Sequence, residues 1–260
     1  MTTVDAGARH WNGATWVEVA NPASAAGCVP HDLWAAASDD VWVALGCRAT
    51  GNNDYSLRRM MRWDGMSWSL VESLGSEFSP SGAYGFNAVW GSAPNNVYAV
   101  ADTALFNFNG TSWSEVTGGP PGGGAVFGLA ANDYYVIHQS TLWHWNGAQW
   151  SSRTPANSIA YGLQTAADSV WLGGNSNGAF FDGMFSVSAA FVWQPVGVAN
   201  DVFVQEQVGL DVEEARYQGG FGGTRTATPA FFRQYDAWRS PSGNTYVVTG
   251  PSGGLVVHGP

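Results

Sequence analysis

A six-residue phrase recurs along this chain. Trp11-Asn12-Gly13-Ala14-Thr15-Trp16 returns as Trp63-Asp64-Gly65-Met66-Ser67-Trp68, as Phe108-Asn109-Gly110-Thr111-Ser112-Trp113 and as Trp145-Asn146-Gly147-Ala148-Gln149-Trp150. A worn copy, Phe181-Asp182-Gly183-Met184-Phe185, follows. Asn-Gly or Asp-Gly between aromatic residues predicts a tight β-hairpin of type I′, whose two central residues need positive φ. Recurrence at periods of about 20–50 residues marks solenoids, propellers or arrays. The chain reads as a repeat protein.

A second phrase, out of phase with the first, completes the unit. A large or aromatic residue is followed seven positions later by a β-branched or aromatic residue, and next by another aromatic. Examples are Trp34 with Val41-Trp42, Trp90 with Val97-Tyr98, Phe127 with Tyr134-Tyr135, Leu163 with Val170-Trp171, and Trp238 with Thr245-Tyr246. Turn formers such as Ser38-Asp39-Asp40 and Pro94-Asn95-Asn96 lie between, so each phrase reads as strand, hairpin, strand. A further copy, Asn200-Asp201-Val202-Phe203, keeps the turn and second strand, while its first strand, near Phe191–Trp193, sits about two residues out of register.

The predicted unit is therefore four short antiparallel strands, for example one ending near Trp90, then Val97–Ala101, Leu105–Phe108 and Trp113–Val116. Radial repetition of four-stranded units makes a β-propeller. Second strands at Trp42, Tyr98, Tyr135, Trp171, Phe203 and Tyr246 predict six blades. The ends complement each other: Trp11–Val19 supplies an outer strand, and Ala237–Val248 with Leu255–His258 supplies three inner ones. The N-terminal strand is expected to complete the last blade and so remove exposed sheet edges. His10-Trp11 and Val257-His258 both resemble the end of a third strand, so one is surplus.

One all-β domain over residues 1–260 accommodates the repeats. The Gly/Pro run Gly118–Gly124 resembles a linker, but the repeat resumes in phase after it, so it reads as a blade-to-blade loop. Charged residues are 12% while Trp counts 14, which assigns cohesion to aromatic burial. A formal charge of −10 argues against sequence-independent nucleic-acid binding and against docking to anionic membranes. No stretch approaches the ~20 apolar residues of a membrane span. Met1–His10 has neither a basic region nor an apolar core, so no signal peptide is expected there; the chain is either cytoplasmic or a mature domain behind a new Met.

The cysteines bear on that choice. If Trp34 faces Val41, then Cys28, six residues before the one, faces Cys47, six residues after the other. Facing residues in adjacent strands have Cβ atoms about 4.5–5.5 Å apart, within reach of a disulfide after small adjustment. The alternatives are two buried thiols that happen to align, or a kink at Pro30 that breaks the register. A disulfide places the chain in an extracytoplasmic compartment.

The phrase Val89-Trp90-Gly91-Ser92-Ala93-Pro94-Asn95-Asn96-Val97-Tyr98-Ala99-Val100, followed by Trp/Phe-Asn/Asp-Gly-x-x-Trp turns, resembles the repeats of secreted bacterial propeller proteins abundant in myxobacteria. It is similar, more distantly, to Asp-box (BNR) and Kelch-like propellers. The resemblance covers nearly the whole chain and implies the propeller architecture. Related rings serve as lectins, scaffolds and hydrolases. The Ser-x-Asp-x-Gly-x-Thr-Trp pattern of the Asp-box does not occur intact, so a sialidase activity does not transfer.

Catalytic constellations are thin. The histidines His10, His31, His138, His144 and His258 form no close-spaced metal pair, and no Gly-x-Ser-x-Gly elbow or phosphate loop occurs. Asp54, Asp211, Glu213 and Glu214 are the acids that a glycosidase would draw on. No catalytic residue, metal or cofactor is expected. Long segments instead concentrate on one rim: Ala20–Pro30, Cys47–Leu57, Glu72–Tyr84, Thr117–Gly124 and, largest, Glu206–Thr226. Loops on a rigid scaffold carry function. The candidate ligand-binding residues there are Asn53, Asp54, Tyr55, Arg58, Tyr84, Glu213, Arg216 and Tyr217, a mixture of aromatic planes and polar groups suited to a sugar or a peptide. Arg58-Arg59 also reads as a solvated pair at a strand edge. The sequence thus predicts a non-catalytic module binding a protein or carbohydrate partner on this rim, the protein being favoured because the loops differ between blades. The competing class is a glycan-acting hydrolase or lyase at the channel mouth.

Overall fold

The computed structural model describes residues 8–11, 14–20, 22–25, 27–48, 57–71, 85–156, 158–166, 169–174, 177–181, 185–192, 195–198, 201–208, 211–218, 224–229, 234–239, 245–249 and 254–258. They divide into two compact units, Met1–Asn132 and Asp133–Pro260.

In the first unit, β1 (Ala8–Trp11) and β2 (Trp16–Val19) form a two-stranded hairpin, and the short helix α1 (Pro22–Ala25) follows. β3 (Cys28–Ala37), β4 (Asp40–Cys47), β5 (Leu57–Trp63) and β6 (Trp68–Val71) make one four-stranded antiparallel sheet in chain order. β7 (Ala88–Ala93), β8 (Asn96–Ala101), β9 (Ala104–Phe108) and β10 (Trp113–Glu115) repeat it, and β11 (Ala125–Ala130) ends the unit. These strands lie within a residue or two of those predicted, because alternating apolar residues bounded by turn formers leave little freedom in placement.

In the second unit, β12 (Asp133–His138), β13 (Thr141–Trp145) and β14 (Trp150–Arg153) pair in succession. β15 (Tyr161–Ala166), β16 (Ser169–Gly173), β17 (Asn177–Phe181) and β18 (Phe185–Val192) follow. Then come β19 (Val196–Val198), β20 (Asp201–Val208), β21 (Asp211–Gln218) and β22 (Thr224–Pro229), and lastly β23 (Gln234–Arg239), β24 (Thr245–Thr249) and β25 (Gly254–His258). β15 to β22 form one continuous sheet, because the far end of β18 pairs with β20. The out-of-register first strand expected near Phe191 is thus split: Phe191 and Val192 face Gln207 and Glu206, and Val196–Val198 faces Phe203–Asp201.

The recurrent turn differs from the predicted type. Trp63 faces Trp68, Phe108 faces Trp113 and Trp145 faces Trp150, so the loop spans all the residues between each pair rather than two. Asp64, Asn109 and Asn146 each accept two backbone N–H bonds, the first from Met66 and Ser67 at 2.9 and 2.8 Å. Only the glycine is left-handed, with φ of 90° at Gly65, 94° at Gly110 and 86° at Gly147. A Cβ on Gly65 or Gly110 would lie 2.8 Å from the Cβ of Asp39 or Asn95, in the turn of the same blade's first hairpin. In these two blades the two recurrent phrases are therefore locked together. The paired positive φ expected of a type I′ turn occurs instead at Gln139 and Ser140, with φ of 46° and 64°.

The first hairpins also carry an extra residue. Trp34 faces Trp42, Trp90 faces Tyr98 and Leu163 faces Trp171, so the large residues oppose each other directly. Register shifts at Ala35/Ala37, Gly91/Ala93 and Gln164/Ala166 account for this, each a β-bulge beside the turn. A second shift, between Pro30 and Asp32, restores the pairing of Cys28 with Cys47, which form a disulfide.

Burial concentrates on the second and third strands. In the first unit, Trp42, Ala44 and Met60 of one sheet pack with Val97, Ala99, Phe106 and Phe108 of the next. Trp42 stands 5.0 Å from Phe108 and 5.3 Å from Trp113, ring centroid to centroid.

Candidate functional site

Two ends of the strands differ. One carries the turns 38–39, 64–67, 94–95 and 109–112; the other carries the connections 48–56, 72–87 and 116–124. At the second end, the first two blades are joined by polar contacts. His31, displaced by the bulge after Pro30, donates from Nδ1 to the Phe86 carbonyl at 2.7 Å, the only role a carbonyl partner permits. Asp32 Oδ2 accepts from the Val89 amide at 2.9 Å, and the Phe86 amide donates to Leu45 O at 3.1 Å.

The turn Asp102-Thr103, between β8 and β9, is held from three sides. Asn87 Nδ2 donates to Asp102 Oδ1 at 2.6 Å and to Gly123 O at 2.9 Å. Gly123 N donates to Ala101 O at 2.7 Å, and a Cβ on Gly122 (φ 131°) would collide with the Ala101 carbonyl. Arg58 Nη2 donates to Thr103 Oγ1 at 2.6 Å. The Gly/Pro connection is thus a clasp packed on a neighbouring turn, and Gly122 is needed for the close approach.

The candidate residues fall into three groups. Asn53, Asp54, Tyr55 and Tyr84 lie outside the described residues. Arg58 belongs to β5 and is only 6% exposed, which overturns its reading as half of a solvated pair. Desolvation lowers its pKa, partly offset by the Glu115 and Asp102 carboxylates. Glu213, Arg216 and Tyr217 belong to β21, which corrects the expected loop Glu206–Thr226: most of that span is the end of β20, all of β21 and the start of β22. Unbroken pairing from Asp201↔Gln218 to Val208↔Asp211 leaves only residues 209–210 between the strands. An acidic, Gln-rich run reads as loop by composition, but here it pairs along the whole length of β20.

Register says more about β21. In the first unit, Val41 and Trp42 face Trp63 and Arg62; in β20, Val202 and Phe203 face Tyr217 and Arg216. Arg216 and Tyr217 therefore occupy the same repeat positions as Arg62 and Trp63, toward the tight-turn end. Glu213 lies at the other end of the strand, opposite Glu206.

That repeat position is a polar latch wherever its side chains are described. Arg62 Nε pairs with Asp40 Oδ1 at 2.8 Å and lies 4.9 Å over the Trp42 ring. Asn107 Nδ2 donates to Asn96 Oδ1 at 2.9 Å. His144 Nε2 donates to Asp133 Oδ1 at 2.8 Å and stacks on Tyr135 at 4.2 Å, while Gln164 Nε2 donates to Asp133 Oδ2 at 2.8 Å. Among the described residues, no three His, Cys, Asp or Glu are grouped to hold a metal ion, and no helix is long and apolar enough to cross a membrane.

The sequence signals that were missed are Asn87 and the Asp102-Thr103 turn. Counting strand lengths in the second blade, where little separates β8 from β9, marks that turn as short.

No protein-family model matches the sequence, and no curated protein matches it significantly. Solved structures do. YCF48 bound to a D1 peptide superposes with a TM-score of 0.67 at 12% identity, over 95% of this chain and 83% of that one. The extracellular domain of the putative one-component system BT4673 from B. thetaiotaomicron matches with a TM-score of 0.65 at 13% identity, over 89% of this chain but only 32% of its own. The Swd1 (Cps50) β-propeller domain of Myceliophteria thermophila matches at 0.64 and 9% identity, over 88% and 82% of the two chains. With its four-stranded antiparallel sheets, this chain has a β-propeller fold.

Proposed function

We propose that this chain is a non-catalytic binding module that recognises a protein partner on the rim carrying its long connections. The observation that carries this reading is the asymmetry of the first unit: connections 48–56, 72–87 and 116–124 share one end of the strands, while the other end has only tight turns. The connections differ in length and composition, which suits one asymmetric partner better than a sugar bound repeatedly between blades. YCF48, whose structure holds a D1 peptide, supports a peptide-like partner on a fold of this kind. Carbohydrate binding is the second arm of the test, and a glycan-acting hydrolase or lyase at the channel mouth is the alternative it must exclude.

In this proposal the partner meets Asn53, Asp54, Tyr55, Arg58, Tyr84 and Glu213. Arg216 and Tyr217 act from within their blade. The units belong to one six-bladed ring over residues 1–260, its last blade completed by the N-terminal strand. The disulfide, and a similar fold in an extracellular domain, support an extracytoplasmic location.

The test is a double change, Tyr55→Ala with Tyr84→Ala. Stability should move by no more than about 0.5 kcal/mol, as for surface substitutions. Affinity for a partner identified by pull-down or glycan array should fall by about 2 kcal/mol or more, the usual penalty for losing an aromatic anchor. Unchanged affinity, or turnover of a glycan, would end this reading. Deleting residues 1–19 tests ring closure: the exposed edge should promote aggregation.

A further inference from the structure

Arg58 and Arg62 leave β5 four residues apart, hence on one face of the strand, yet of the two only Arg62 makes a direct ion pair among the described residues. Arg62 pairs with Asp40. Arg58, though buried, donates one hydrogen bond, to the uncharged Thr103 hydroxyl, and its guanidinium carbon lies 6.0 Å from the Phe106 ring centroid. A guanidinium presents five N–H donors in a planar fork that fits a carboxylate. The Glu115 and Asp102 carboxylates favour its charge, but a buried cation is normally held by a direct ion pair as well. Asp102 is engaged by Asn87, and Glu115 stands on the exposed strand β10. Thr103 itself is on an exposed turn, so the guanidinium waits directly behind a surface hydroxyl.

We propose that Arg58 is a carboxylate receptor, with the Thr103 hydroxyl holding the place that a partner's carboxylate takes. The carboxylate makes two parallel N–H···O bonds with the fork, a charge-assisted contact stronger than the one it replaces. The flanking Asp102 and Glu115 charges oppose a phosphate dianion about twice as strongly as a carboxylate, which favours a peptide carboxylate, C-terminal or side-chain. This inference rests on the rim reading above and adds the chemistry of the partner.

The probes are Gly-Gly-Phe with a free C-terminus, the same peptide as its C-terminal amide, and acetyl-Gly-Glu-Gly-amide, which separates the two carboxylate sources. Each is titrated while the Arg58 Nε–H resonance is followed by NMR. At least one carboxylate-bearing probe should shift that resonance saturably, and Gly-Gly-Phe amide should not. Arg58→Lys should weaken binding about tenfold, since an ammonium cannot reproduce the bidentate geometry, and Arg58→Met should abolish it. Thr103→Val removes the placeholder and should tighten binding, whereas a purely structural hydroxyl predicts no gain. If Arg58→Met fails to fold, the wild-type resonance and Thr103→Val still decide. Equal binding of acid and amide, no movement of the Arg58 resonance, or no gain in Thr103→Val overturns the proposal. A partner that needs Tyr55 but binds Arg58→Met unchanged would end it while leaving the rim reading standing.

Discussion

The two units join neighbouring repeats in different ways. In Met1–Asn132, β3–β6 and β7–β10 are separate sheets held mainly by side chains, Trp42 against Phe108 and Trp113, and Asp32 and His31 against the backbone of the next blade, with one backbone bond from Phe86 N to Leu45 O. In Asp133–Pro260, β18 is outermost in one repeat and pairs onward with β20, so two repeats share one backbone ladder. A long connection, 72–87, lets the first pair of sheets separate and meet through side chains. Where Phe185–Val192 serves both repeats, little chain is left over to build a loop. The long connections between described strands of the first unit are therefore where a binding face is proposed.

Trp42→Ala strikes the side-chain joint directly. Its ring is buried at 2% exposure among Phe108, Trp113 and the Arg62 guanidinium, and truncating such an aromatic costs about 3–5 kcal/mol. Hydrogen exchange should accelerate first in β3–β10 and later in the shared ladder of β20 and β21. A loss under about 1 kcal/mol by urea titration, small beside that range, would show that the first two sheets are held by something other than this cluster.

The disulfide gives the next effect. Replacing Cys28 and Cys47 together by Ser should cost about 2–4 kcal/mol in the chain-entropy picture. Its contribution belongs to the first unit, where Cys47 packs with Ala23, Leu45 and Met61. Intact mass after alkylation of unreduced, denatured protein checks the bond: two modified thiols would contradict it.

That bond was legible in the sequence for a partly wrong reason. Pairing Trp34 with Val41 put Cys28 opposite Cys47, but Trp34 faces Trp42, and the second bulge, beside Pro30, restores the cysteine register. Bulges are set by φ/ψ and by hydrogen bonds such as those of His31 and Asp32, which residue spacing cannot reveal. Strands and turns within each blade were legible because aromatic alternation and Asn-Gly punctuation are local. The fusion of β18 with β20 was not, since it depends on which strand edge is nearest after folding. The placement of the candidate residues was read least well. Composition placed Glu213, Arg216 and Tyr217 in a loop, whereas repeat register places them on β21. The signal was available: Asp201-Val202-Phe203 matches Asp40-Val41-Trp42, so a third strand had to follow.

The latches differ from blade to blade: one repeat position holds three chemistries. Asp40→Asn should cost no more than about 1 kcal/mol, given that Arg62 is 37% exposed and screened by solvent. Its effect should shrink with added salt, whereas Asn96→Ala, which breaks a neutral pair, should show little salt dependence. If Arg216 takes the part of Arg62, Arg216→Ala should behave like Asp40→Asn in stability and in salt response. Indifference of stability to Arg216→Ala would return that residue to the partner-binding face.

The smallest effect separates copies of the same turn. Asp64 is held below its ordinary pKa of 3.8, first by the Ser67 amide and next by the Met66 amide. A depressed carboxylate pKa means that the ionised form is favoured by the fold. Its contribution is complete above the ordinary value and disappears as pH falls through the lowered one. The turns at Asn109 and Asn146 make the same two amide bonds with a side chain that does not titrate. On acidification the Met66 and Ser67 amide resonances should therefore move below pH 3.8 while those of Thr111, Ser112, Ala148 and Gln149 stay in place. Asp64→Asn should abolish the movement and leave the loop intact, since Asn already fills that position elsewhere in the chain. Parallel titration of all three turns would mean that acid loosens the blades themselves, and the shared geometry of the repeat would then rest on something other than its capping oxygen.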